Sequence, residues 1–182
     1  MIASKIRGFN ANKNGNLFEM STQIENYLSV QKQFEKYQDN SLIKKCVDKD
    51  IIYVKQLNFR RIMKNKYNID IFRNPDEAYI IEHKNGKKEI KILEKKNQNV
   101  EGTCETKLWS GNSLKREYEI IIGPQFDISY AFCVNTFLEN KFVSNTNQKY
   151  ITLKQILEED NIKLFFGDKH EYFENLYNWI IN

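Results

Sequence analysis

The stretch NPDEAYIIEHKNGKKEIKILEKKNQN, Asn74 to Asn99, reads as two apolar–polar alternating segments folded about an Asn85–Gly86 turn. Alternation with period two marks strands with a buried face, and Asn-Gly between two such runs is a strong short-range hairpin signal. A three-residue loop, Lys84-Asn85-Gly86, places Gly86 at the left-handed bulge position that favours glycine. His83 then faces Lys87, Glu82 faces Lys88, Ile80 faces Ile90, Ala78 faces Ile92 and Asp76 faces Glu94. Directly opposed residues point to the same side, with β-carbons about 5 Å apart. Glu94 and Lys96 also share a face, because strand side chains alternate. A two-residue loop shifts the register by one and sends Asp76 to the opposite side from Glu94. Tyr79 and Ile81 match Ile90 and Ile92 as well, so hydrophobicity leaves both registers open.

Glu-x-Lys occurs five times, at Glu82, Glu89, Glu94, Glu105 and Glu139, so the pattern alone carries little weight in a chain rich in both residues. Geometry distinguishes Glu94-x-Lys96. Glu82 and Glu89 lie near the turn, and Glu105 and Glu139 lie outside the hairpin. Two carboxylates that close repel in a partly buried setting and need a cation between them. A hard divalent metal with oxygen ligands, Mg²⁺ foremost, is the natural occupant, with Mn²⁺ able to substitute. A metal on Asp76 and Glu94 polarises a phosphoryl oxygen and acidifies water, and Lys96 on the same face offsets phosphorane charge. That chemistry is phosphodiester hydrolysis. The competing reading is a solvated edge, with Asp76 merely opening a strand after Pro75.

The chain has 182 residues, 41% hydrophobic and 13% aromatic, enough for a folded core and in the size range of one domain. No apolar run reaches bilayer-spanning length, and the first 16 residues lack the apolar centre of a signal peptide, so the expected location is cytoplasmic. Cys46, Cys104 and Cys133 are scattered without metal spacing and read as free thiols. A net charge of +4 permits a polyanionic partner without demanding one.

Periodicity predicts a helix from Leu17 to Tyr37 with a stripe of Leu17, Met20, Ile24, Leu28 and Phe34, and a second from Ile51 to Lys66. After the hairpin come a helix capped by Asn112 or Ser113 and stopped by Gly123-Pro124, and a strand in ISYAFCV. Short helices at Thr136–Phe142 and Leu153–Glu159, a buried strand in IKLFFG and a closing helix follow. The expected fold class is α/β (α+β), a central mixed β-sheet flanked by helices. It divides into a mainly helical part over residues 1–70, a core over 71–134 and a C-terminal strand and helices over 135–182.

Pro75-Asp76, a hairpin and then Glu94-x-Lys96 together resemble the PD-(D/E)xK nuclease superfamily. The continuation EKKNQNVEGTCETKLWSGNSLKREYE is similar to the segment of small type II restriction endonucleases in which the Glu-x-Lys strand leads through a Gln and a Gly into a basic helix. The similarity spans about Ile71 to Gly123. It implies a restriction-endonuclease-like core, Asp76 and Glu94 as metal-binding carboxylates, Lys96 as the catalytic lysine and the Lys95 carbonyl as a further metal ligand. Gln98 is a candidate to touch metal-bound water or a phosphate. Some members add a glutamate from the first helix; Glu19 and Glu25 are both available. The implied enzyme is a Mg²⁺-dependent homodimer cutting both strands of double-stranded DNA, functionally paired with a DNA methyltransferase. The alternatives are a repair or junction nuclease and a non-catalytic DNA-binding module. Lys95, in the variable position, is strongly polar, which suits a strand end that opens toward phosphate.

Two basic segments are candidates for DNA contact. KLWSGNSLKRE offers Lys107, Trp109, Ser110, Asn112, Lys115 and Arg116, where loop amides, a helix N-terminus and basic side chains meet. NFRRIMKNK offers Arg60 and Arg61. His83 and His170 lack metal-ligand spacing.

Overall fold

The computed structural model describes residues 16–99, 104–144 and 146–182. The glycine of the Glu-x-Lys continuation, Gly15 ahead of the first helix and the Cys104 side chain lie outside the described residues. Cys46 and Cys133 are free thiols.

Seven strands form one mixed sheet in chain order: β1 (Glu35–Tyr37), β2 (Ser41–Lys45), β3 (Lys49–Val54), β4 (Glu77–His83), β5 (Lys88–Lys96), β6 (Asp127–Val134) and β7 (Ile162–Phe166). The first five form an antiparallel meander, whereas β5, β6 and β7 run parallel. Parallel pairing needs crossovers long enough to return the chain. Helices α4 (Cys104–Trp109) and α5 (Gly111–Ile122) join β5 to β6, and α6 (Thr136–Val143) and α7 (Gln148–Glu159) join β6 to β7. Three further helices precede the hairpin: α1 (residues 16–21), α2 (Glu25–Gln31) and α3 (Leu57–Tyr67). Helix α8 (Tyr172–Ile181) closes the fold. The fold is thus mixed α/β, a seven-stranded sheet flanked by helices.

Each sheet face carries its own apolar core. Ile52, Val54, Ala78, Ile80, Ile90, Ile92, Tyr130 and Phe132 pack with Phe59, Leu108, Tyr118 and Leu157 on one side. Ile51, Tyr53, Tyr79, Ile81, Leu93 and Ala131 pack with Phe18, Leu28, Leu176 and Trp179 on the other.

Two expected helices are corrected. Ile51–Val54 is strand: all four residues are buried, alternately in the two cores, so a central strand covered on both faces shows a continuous apolar run with no period to read. The helix starts only at Leu57. The expected single helix Leu17–Tyr37 is two short helices and a strand. The Thr22 hydroxyl donates to the Phe18 carbonyl at 2.6 Å where α1 stops, and Gln33 takes φ 58° ahead of β1. Leu17 and Met20 are exposed, and Phe18 is the buried residue. The described residues 16–70 thus contribute three strands alongside their three helices. Helix α5 begins at Gly111, ahead of the expected Asn112 or Ser113 cap. A β-carbon at Gly111 would meet Phe132 Cε2 at 2.9 Å, so the missing side chain lets α5 lie close on β6.

The hairpin adopts the three-residue loop. Glu82 pairs with Lys88, Ile80 with Ile90 and Ala78 with Ile92, while Gly86 takes φ +93°. The His83 amide donates to the Lys87 carbonyl at 2.9 Å and the Gly86 amide to the His83 carbonyl at 3.0 Å. A β-carbon at Gly86 meets nothing within 4 Å, so substitution there reports backbone strain alone. Gly86→Ala is expected to destabilise by about 1–2 kcal/mol, lowering the melting temperature by roughly 2–4 °C per kcal/mol. Gly86→Asn should lose less, since Asn tolerates the left-handed region. Thermal unfolding followed by circular dichroism measures both; an Ala variant melting with the wild type would mean the turn does not depend on that conformation.

Candidate active site

The β4–β5 register, continued one step past Glu77–Leu93, sets Asp76 against Glu94. The Asp76 carboxylate accepts the Lys95 amide at 2.6 Å, taking the place of a ladder bond at the strand end. Lys96 Nζ lies 2.7 Å from Glu94 Oε2 and 3.8 Å from Asp76 Oδ2. Asp76, Glu94 and Lys96 therefore converge at the end of the apolar face formed by Ala78, Ile80, Ile90 and Ile92. Burial raises the Glu94 carboxyl above its ordinary range; Lys96 opposes the shift and Asp76 adds to it.

A cavity of about 230 Å³ opens onto Glu94 and Lys96, and Arg73, Lys107 and Ser110 line it. Arg73 forks onto Glu117 of α5, with Nε at 2.5 Å from Oε1 and Nη2 at 2.8 Å from Oε2. Neither residue stood out in the sequence, because the pair closes across 44 positions with no motif around it. A second cavity, about 280 Å³, lies towards α1 and is lined by Glu19, Gln23, Lys55, Asp76 and Lys95. Burial and then the nearby Asp76 charge raise the Glu19 carboxyl, against Lys95 and Lys96. Glu25 is instead tied to Lys55 at 2.6 Å. Of the two candidate α1–α2 glutamates, Glu19 is the one beside the site.

Several expected positions differ. Lys95 turns to the opposite sheet face, where its ammonium is buried 2.7 Å from Glu77. Tyr79 and Tyr53 donate to the same carboxylate at 2.7 and 3.4 Å, so the Lys95 ammonium is committed to Glu77. Strand alternation forces this outcome, since neighbours of Glu94 and Lys96 must point away from them. Gln98 lies beyond the end of β5, with Nε2 3.4 Å from Glu105 and its backbone held by Asn135. Its side-chain donor bond goes to Glu105 rather than to the Asp76–Glu94 pair. Glu105 also accepts from Tyr150 at 2.5 Å and from Lys149; burial works to raise its carboxyl, but those bonds outweigh it and hold it low.

Among the basic candidates, Lys107 and Ser110 share the Glu94–Lys96 cavity. Trp109 is 38% exposed. Lys115 donates to the Asp160 carbonyl at 2.9 Å, which draws it towards the end of α7. Asn112 and Arg116 line a separate open groove with Phe72 and Ile120, and Arg116 pairs with Glu119 at 2.9 Å. Arg60 and Arg61 sit on α3 outside the cavity lining, Arg61 bonding Asn58 at 3.2 Å.

Among the described residues no three His, Cys, Asp or Glu side chains form a ready metal cluster. The donor set that is present, two carboxylates with one lysine, suits a hydrated hard cation, which keeps several waters beside one or two carboxylates. The buried hydroxyls of Tyr118 and Tyr130 fit this picture. Neither has a hydrogen-bond partner, and the Glu94 charge acts on both. Compared with family models, curated proteins and solved structures, the chain matches none.

The contribution of the Glu77–Lys95 pair to stability is measurable. Lys95→Met leaves a buried carboxylate without its cation and is expected to destabilise by about 3–5 kcal/mol. Adding Glu77→Leu should restore most of that loss. Urea denaturation of the two variants checks it, and a Lys95→Met protein as stable as the wild type would show that the pair contributes nothing.

Proposed function

We propose that the protein is a Mg²⁺-dependent, site-specific endonuclease for double-stranded DNA, a type II restriction enzyme of the PD-(D/E)xK kind acting in the cytoplasm. The observation that carries this reading is the convergence of Asp76, Glu94 and Lys96 at one end of β5. The mixed sheet and the hairpin that delivers the three residues support it.

Asp76 and Glu94 would hold the metal, with the Lys95 carbonyl as a further donor and Glu19 close enough to assist. When bound, the metal supplies Lewis-acid polarisation of the phosphoryl oxygen and a more acidic water. Without a cation the three side chains carry one net negative charge, which repels a phosphodiester; a divalent ion reverses that sign. Lys96 lies between the carboxylates, orients the attacking water and offsets charge developing on the phosphoryl oxygens. Lys107 and Ser110, on the rim of the same cavity, hold the scissile strand, and Arg73 keeps α5 against the site through Glu117. Two copies about a twofold axis would cut both strands of a symmetric sequence, and a cognate methyltransferase would protect the host.

Incubation with Mg²⁺ and plasmid or phage DNA, followed by sequencing of fragment ends, tests the reading. Discrete fragments with a common end sequence are expected. Asp76→Ala and Lys96→Ala should each slow cleavage by roughly 10²–10³-fold, the scale of losing one stabilising group, while still binding DNA. Cleavage confined to branched DNA would replace this reading with a repair or junction nuclease. Undiminished activity in Asp76→Ala would leave a DNA-binding module.

The raised Glu94 carboxyl sets a pH dependence. An acid whose folded pKa is raised favours folding in its protonated form, and that contribution is lost as pH rises through the folded pKa. Metal binding needs the ionised form, so cleavage should fail as pH falls through a value above the ordinary glutamate pKa of about 4.3. A profile of kcat/KM against pH at limiting Mg²⁺, where the metal does not outcompete the proton, measures this; an acid limb at or below that value would remove Glu94 from the metal site.

A further inference from the structure

The largest cavity described, about 800 Å³, lies away from Asp76, Glu94 and Lys96, on the sheet face that α8 covers. That volume is within the range of small-molecule sites. Its floor comes from three parallel strands: Lys91 on β5 pairs with Ser129 on β6, and Lys163 on β7 pairs with Ala131 two residues on. Alternation puts Lys91, Ser129, Ala131 and Lys163 on one face. On the opposite wall, Asn175, Asn178 and Asn182 recur along one side of α8, offering side-chain amides.

The charge in this cavity is unbalanced. Lys91 is only 4% exposed and has no carboxylate partner among the described residues. It donates to the Trp179 carbonyl at 2.6 Å and lies 5.6 Å from the Trp179 ring centre. Capping the end of α8 accounts for one of its three N–H donors. The carboxylate acting most strongly on it, Glu89, is already bonded to Lys87 and His83. Lys163 is exposed and in no ion pair among the described residues. Lys169 is paired with Glu139 at 2.9 Å, and Glu171 is the one carboxylate of the lining. Lys49, whose ammonium bonds the Ile181 carbonyl, adds further positive potential from β3. Burial accordingly lowers the Lys91 pKa from its usual value.

A buried ammonium without a counter-ion is expensive, and its expense falls when an anion enters. A DNA duplex is too wide to bring a phosphate to a lysine this buried, whereas a compact anion carrying more than one charge can lie between Lys91 and Lys163 with the α8 amides around it. We propose that this cavity binds the phosphate group of a small molecule, a phosphate or diphosphate ester, separately from the candidate active site.

Isothermal titration calorimetry of the full chain, with pyrophosphate and ADP as probes, tests the assignment. Binding of at least one probe at one site per chain is expected. Lys163→Ala, at an exposed position whose loss should not unfold the protein, is expected to weaken it about tenfold, the scale of one charge-assisted hydrogen bond. Lys91→Met should weaken it at least as much, and Lys96→Ala should bind as the wild type does. Absence of heat with both probes, equal binding by Lys163→Ala, or loss in Lys96→Ala instead would each overturn the assignment. So would a Lys163→Ala protein impaired only in binding duplex DNA.

Discussion

In the β4–β5 hairpin, each residue of β4 and its partner on β5 lie on the same side of the sheet, and the next pair lies on the other. A turn longer or shorter by one residue would exchange the two sets throughout the strands. Gly86, at φ +93°, fixes the loop length and so the exchange. The consequence reaches both cores, because Ile80 and Ile90 belong to one and Tyr79 and Leu93 to the other. It also sorts the charges at the open end. Asp76, Glu94 and Lys96 fall on the α5 side, and Glu77 and Lys95 on the side of α1, α2 and α8.

Those two sets differ in kind. Glu77 and Lys95 are one acid and one base, 2.7 Å apart and almost wholly buried, with two tyrosine hydroxyls completing the acid's hydrogen bonds. Such a pair is closed: it holds the ends of the two strands together and leaves little capacity for a ligand. The Lys95 ammonium also lies 3.3 Å from the Glu19 carbonyl, which fastens α1 beside the hairpin and brings the Glu19 side chain towards Asp76. On the other face two acids share one lysine. That set is open, and burial, with a smaller contribution from the Asp76 charge, raises the Glu94 carboxyl against Lys96. The closed pair behind thus supports the open group in front.

Much of this was legible in the chain itself. The hairpin followed from alternation and turn chemistry, which are local; these offered the register that sets Asp76 against Glu94 as one of two, and the structure takes it. The strand in ISYAFCV and the helix closed by Gly123 were legible for the same reason. What escaped was non-local or masked by burial. Ile51–Val54 has apolar residues on both faces, so its alternation vanished and it read as helix. The Arg73–Glu117 fork joins positions 44 apart, and no short pattern marks it. The Lys95–Glu77 pair also went unread, because an ion pair across strands has no spacing of its own. Gln98 read as a continuation of β5, but the strand ends at Lys96 and the next residues turn towards Asn135 and Glu105.

The three buried lysines of β5 make the underlying logic quantitative in sign if not in size. All come from one strand, and each is 8% exposed or less, so solvent neutralises none of them well. Lys95 meets one carboxylate and is balanced. Lys96 meets two, leaving that trio of side chains with one negative charge in excess. Lys91 meets none, only a carbonyl and an aromatic ring, leaving its cavity net positive and receptive to an anion. Burial makes imbalance of either sign costly, and a fold that keeps such an imbalance in a cavity gains stability when a ligand of opposite charge enters it. The same strand thereby carries opposite charge imbalances on its two faces, which suit the proposed metal on one and the proposed phosphate on the other. Alternation along nine residues is enough to keep them apart.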